Sequence, residues 1–187
     1  SQNHFTLITA AAAQWHDLEL LKSSIEPNSD ISIEDTSSEV STLIVTGPKS
    51  RDLLTKITDA DLSQPWLTHQ KAFLDSMPVI LARVSFAGEL GWEIHVKNKY
   101  LIPIYEKIIL LGAKPFGMFA LNSLRIEKGY RAWKGDLSSD YSILEAGLER
   151  FVRFDKDSDF IGKSALLKEK QIGVKKSFVT LKVKSNG

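Results

Sequence analysis

Between Val79 and Val96 an apolar-rich run and an alternating apolar/charged run flank a glycine-bracketed turn. Side chains alternate across a strand, so the pattern reads as two strands joined by that turn. Ile80, Ala82, Val84 and Phe86 share one face before it, with Val79, Leu81, Arg83 and Ser85 on the other. After it, Trp92, Ile94 and Val96 share a face, and Glu93 and His95 take the opposite one. Gly88 and Gly91 bracket the turn, where a positive φ or a close backbone approach is needed. Glu93 carries charge inside a strand, between Trp92 and Ile94. Alternation alone favours a solvent-facing polar position on a one-sided antiparallel sheet. The sharper alternative is a carboxylate held on a rigid strand to receive paired donors from a ligand.

The flanking segments read as α+β. Residues 5 to 10 fit a strand, and Ala11 to Ile25 a helix with Trp15, Leu18, Leu21 and Ile25 at helical spacing. Ile31 and Ile33, then Leu43 and Val45, fit two strands around the polar turn Ser37-Ser38-Glu39. Gly47-Pro48 opens a short helix, with proline suited to its first turn. Residues 58 to 76 read as polar and irregular around Pro65-Trp66. A helix from Tyr100 to Leu111 follows the hairpin, with Gly112 as its C-terminal cap. The predicted architecture is mainly antiparallel sheet with helices packed on it, in βαββα-type units.

Apolar and charged content, 43% and 25%, is that of an ordinary globular protein. A formal charge of +1 gives no electrostatic reason to expect nucleic acid or an acidic membrane as partner. The absence of cysteine excludes disulfides, thiolate metal sites and a cysteine nucleophile. His4, His16, His69 and His95 lack metal-ligand spacing. There is no Walker loop and no dinucleotide glycine fingerprint. No apolar run reaches membrane-spanning length and no signal-peptide pattern opens the chain. Phe5 begins strand-like almost at once, and Ser177 to Val183 ends as another strand develops, so both ends read as cut from a longer polypeptide. The expected location is cytoplasmic, or the mitochondrial matrix for a eukaryotic source.

Met118 to Tyr130 predicts a helix whose apolar residues surround most of its axis, hence a buried one. Arg125 falls between Met118 and Leu121 on the wheel. A buried guanidinium requires a partner. Glu127, Asp136 and Glu145 are the candidate structural partners; a snorkelling head group and a bound anionic or heterocyclic ligand are the alternatives.

Several ordered motifs carry a resemblance. Phe86-Ala87-Gly88-Glu89-Leu90-Gly91-Trp92-Glu93-Ile94 resembles the folate-domain signature of the glycine-cleavage T-protein aminomethyltransferases. Gly47-Pro48-Lys49-Ser50-Arg51 is similar to a Gly-Pro-x-Ser-Arg turn of that family, whose content here is structural. Ala120 to Trp133, Leu144-Glu145-Ala146-Gly147-Leu148, and Asp155-Lys156 with Phe160-Ile161-Gly162-Lys163 continue the match in order. The nearest resemblance is to the folate domains of dimethylglycine and sarcosine dehydrogenases.

The resemblance implies a T-protein folate-domain-like fold. It divides the chain into residues 1–75, the latter part of a first subunit; 76–176, a second α+β subunit; and 177–187, the start of a C-terminal strand region. It implies tetrahydrofolate as cofactor and a methylated amine as one-carbon donor, with room for an FAD-bearing flavin domain earlier in a parent chain. It places Glu93 on the pterin, Ile94 and His95 beside it, and Arg125 as a second ligand contact. Phe86 and Arg150 occupy two further contact positions, where relatives carry a tyrosine and commonly an aromatic. The family's catalytic aspartate lies upstream of the segment equivalent to Phe5-Ile8, so no catalytic residue is assigned, and the 187 residues alone are expected to turn over no substrate. A folate-binding or scaffold module without catalysis is the alternative reading. A nucleic-acid-binding domain ranks below both, for want of an RNP-type aromatic strand.

Overall fold

A computed structural model describes residues 3–184. The chain forms two compact units, one ending at Leu121 and one beginning at Asn122. The expected boundary between residues 75 and 76 falls inside a tight turn of the first unit.

The first unit is built on one antiparallel sheet. Its strands are β1 (Val40–Thr46), β2 (His69–Leu74), β3 (Met77–Ala82) and β4 (Gly91–Lys97), in the order β1-β4-β3-β2. Strand β4 is therefore interior, paired with β1 on one side and β3 on the other. Its alternation works as expected. Trp92, Ile94 and Val96 are buried on one face, and Glu93 and His95 stand on the other. Helix α2 (Ser50–Leu54) and helix α3 (Leu101–Leu110) contribute Leu54, Ile104 and Ile108 to the same core. Ile104 and Ile108 are four apart, one helical stripe turned inward. Gly112 follows α3 at φ 97°, the left-handed cap expected of it.

The two turn glycines have different reasons. Gly88 adopts φ 79°. Gly91 is a close-approach position: a Cβ there would lie 2.8 Å from the Val45 carbonyl oxygen on β1. The Gly47-Pro48 corner fastens the same place from the other side. Gly47 N–H donates to the Leu90 carbonyl at 2.7 Å, and Ser50 Oγ to the Gly47 and Leu90 carbonyls at 2.7 and 3.0 Å. The motif is structural, and what it secures is the entry into β4.

Several expectations are corrected. Residues 69–74 are not irregular: they form β2, joined to β3 by Asp75 and Ser76 at φ 48° and 70°. Two successive positive φ values suit a two-residue hairpin turn matched to strand twist. Strand β3 ends at Ala82, so Val84 and Phe86 lie in the connection to β4. Residues 5–10 and the Ile31–Ile33 segment make no ladder among the described residues, and Phe5, Leu7, Ile8 and Ile31 are exposed. Apolar alternation becomes a strand only with a neighbour to pair with. The first βαββα unit is thus not formed, while the α+β class is. Helix α1 (Gln14–Ser23), opened by a 3-10 turn at Ala11–Ala13, sits where predicted, but Trp15 is exposed.

The second unit takes most of helix α4 (Met118–Glu127), a run of turns, and helix α5 (Lys163–Ile172). Helix α4 is not buried all round: Met118, Phe119 and Ile126 are exposed, and Leu121 and Arg125 mark a single inward stripe. Residues 177–184 form no strand; the last three positions of the expected C-terminal strand region lie outside the described residues.

Candidate functional site

In the first unit the candidate site is the polar face of β4. Interior strands hold side chains more rigidly than edges or loops, because both backbone ladders are complete. Cross-strand register sets Glu93 between Ile44 of β1 and Ala82 of β3, and His95 between Thr42 and Ile80. Paired residues share a face, so the carboxylate stands between apolar side chains. The Glu93 side chain is 23% exposed and that of His95 10%. His95 Nε2 lies 3.4 Å from a Glu93 carboxylate oxygen, and Nδ1 lies 2.9 Å from Thr42 Oγ. The Nε2 contact is a close approach and not a hydrogen bond: Nε2 is buried without a hydrogen-bond partner among the described residues. Among the described residues Glu93 accepts no other polar contact. It offers an acceptor face that is shielded, flanked by the His95 ring and open to paired donors.

The opposite face explains why this carboxylate can be held. Trp92 is fully buried. The Arg83 guanidinium lies 4.8 Å from the centroid of its ring and that of Arg51 5.8 Å. Arg83 also donates from Nη1 to the Gly91 carbonyl at 3.1 Å. Burial, together with the neighbouring Arg51 charge, lowers the pKa of Arg83 from its usual value. The stack clamps β4 at the residue next to Glu93.

The other predicted residues distribute as follows. Ile94 is fully buried in the core, on the face away from Glu93. Phe86 sits half-exposed in the β3–β4 connection. Arg125 and Arg150 belong to the second unit. Arg125 is buried, as its wheel position predicts, and the structural partner is Asp136. Its Nε and Nη2 donate to Asn122 Oδ1 at 2.8 and 2.6 Å, and Nη1 to the Tyr130 carbonyl at 3.0 Å and to Asp136. The Ala132 backbone N–H, followed by Arg125, holds the Asp136 carboxyl below its ordinary range. Arg150 is exposed, stacks 4.8 Å from the Phe151 ring, and lines two cavities of about 520 and 490 Å³. Sequence reasoning missed Thr42, because its contact with His95 depends on a pairing 53 residues apart. It also missed the Arg83–Trp92 stack.

The family model for the GCVT N-terminal domain matches residues 1–156. This chain belongs to that family. The GCVT domain described here is 38% identical over 191 residues to a mitochondrial dimethylglycine dehydrogenase of Mus musculus, covering 98% of this chain and 22% of the relative. It is 37% identical over 193 residues to an aminomethyltransferase of Thermoanaerobacter sp. (strain X514), covering 100% of this chain and 52% of the relative. A mitochondrial sarcosine dehydrogenase of Mus musculus is 40% identical over 156 residues, covering 80% and 17%. The chain thus spans no more than about half the length of these relatives. The matched span includes every predicted site residue of the GCVT domain. Among its described residues no helix is long and apolar enough to cross a membrane, and no cluster of His, Asp and Glu suits a metal ion.

Proposed function

We propose that this GCVT domain supplies a tetrahydrofolate-binding surface to a one-carbon transferase of the aminomethyltransferase or methylated-glycine dehydrogenase type. The single observation that carries the reading is Glu93: a charged side chain three-quarters shielded, on an interior strand, with its acceptor capacity largely unused. A burial of this kind calls for donors. The pterin edge presents adjacent N–H groups, which a carboxylate accepts as a pair. Glu93 therefore binds and orients the ring, and the His95 ring, held by Thr42, limits the space beside the carboxylate. Bound tetrahydrofolate supplies the nitrogen atoms that take up the one-carbon unit. The relatives named as an aminomethyltransferase and as dehydrogenases of methylated glycines support this choice of chemistry.

Calorimetric titration of tetrahydrofolate into the chain tests it. Glu93→Gln keeps the shape but loses the charge and one acceptor, and the expected result is about 10–100-fold weaker binding. His95→Gln removes only the flanking ring, and about a 2–10-fold loss is expected. Equal affinity of the Glu93→Gln variant and the parent chain removes Glu93 from the site and the reading with it.

A further inference from the structure

The second unit holds a cavity of about 490 Å³ that the Glu93 reading does not use. It lies between the end of α4 and the Leu-Glu-Ala-Gly-Leu turn, lined among others by Lys128, Arg131, Gly147, Glu149 and Arg150. Three cations thus face one carboxylate. That carboxylate is already engaged, because Glu149 pairs with Lys170.

Arg131 is the centre of the argument. Its guanidinium lies over the Phe178 ring, 4.7 Å from the centroid. Among the described residues its Nε is buried without an acceptor. Asp136 feels its charge, but that carboxylate is bonded to Arg125 and to the Ala132 N–H. A buried donor left without an acceptor costs free energy, so such groups are nearly always satisfied. The fold also makes room for this one. Gly147 turns at φ 65°, and a Cβ there would lie 3.2 Å from Arg131 Nη2. A side chain at 147 would press on the guanidinium and strain the turn.

We infer that this cavity is a binding site for a small oxyanion, a carboxylate or a phosphoryl group, gripped by Arg131 with Lys128 and Arg150 at its rim. Guanidinium matches both groups with paired donors, and Phe178 restrains the side chain by stacking. The site is independent of Glu93, so failure of either assignment leaves the other standing.

Arginine Nε–H resonances, followed by NMR in the full chain at fixed ionic strength, read the buried donor directly. The probes are inorganic phosphate and glutarate, with sodium chloride as the ionic control. A saturable shift of the Arg131 Nε–H with either probe, absent with chloride, is the expected result. A response to phosphate alone identifies a phosphoryl site, and to glutarate alone a carboxylate site. Arg131→Gln and, separately, Arg150→Gln are each expected to weaken binding measured by calorimetry, Arg131→Gln by about tenfold or more. Should Arg131→Gln perturb folding by circular dichroism, Arg150→Gln combined with Lys128→Gln decides, since both sit at the rim. No saturable response to either probe at millimolar concentration, or undiminished binding in the rim variant, overturns the site.

Discussion

Replacing Trp92 by alanine is expected to cost about 3–5 kcal/mol of folding stability, measured by urea unfolding. The indole fills the centre of the first unit's core and is fully buried. Removing it leaves a void between the sheet and α2 and takes away the surface on which Arg83 rests. Trp92→Phe is the informative companion. Trp92 Nε1 has no hydrogen-bond partner among the described residues, so phenylalanine loses no hydrogen bond and keeps a ring for the cation–π contact. Its cost is expected to be less than half that of alanine. If the two variants are equally destabilised, the shape of the indole, not its bulk, holds the strand. Because Glu93 is the adjacent residue on the other face, Trp92→Ala is also expected to weaken tetrahydrofolate binding before the chain unfolds.

The second large effect is expected in the second unit. Arg125→Met should destabilise it by about 3–5 kcal/mol, because it leaves a shielded carboxylate without its countercharge. Among the described residues Asp136 keeps the Ala132 N–H and the more distant Arg131 charge, and Asn122 Oδ1 and the Tyr130 carbonyl each lose the Arg125 bond. The double variant Arg125→Met/Asp136→Asn is expected to recover part of the loss, since neither charge of the pair then remains. Urea titrations of the four proteins give the coupling, and strict additivity would mean that the pair does not act as a unit. The pH dependence has a definite sign. The folded-state pKa of Asp136 is depressed, so its contribution is fully present above the unfolded value of about 3.9. That contribution is lost as pH falls through the lower folded value. The difference between Arg125→Met and the parent chain should therefore shrink below about pH 4.

These residues also show where a sequence can be read and where it cannot. Strand β4 was legible because its alternation is strong: three large apolar side chains on one face against Glu93 and His95. The burial of Arg125 was legible from a helical wheel. Its partner was only one of three carboxylates in reach, and local turn geometry chose Asp136. Strand β2 was not legible, because its inward positions include Gln70 and Ala72, which carry little hydrophobic signal, and its hairpin turn is Asp-Ser instead of a glycine dipeptide. Residues 5–10 erred the other way, being apolar enough for a strand but with no ladder to join. Thr42 and Arg131 were invisible for one reason. Each matters through a side chain far along the chain, His95 for the first and Phe178 for the second.

The strand order has a temporal consequence. Strands β2, β3 and β4 follow one another in the chain and pair as neighbours, so each closes a short loop. Strand β1 joins β4 only across an excursion of some fifty residues, as the Thr42–His95 separation of 53 shows. The entropy lost in closing a loop rises with its length, and long-range pairings slow folding. The meander can therefore assemble while β1 is still undocked, and the hydroxyl that orients His95 arrives with the last strand. The His95 side of the proposed site is thus completed at the end of folding, later than the scaffold that carries it.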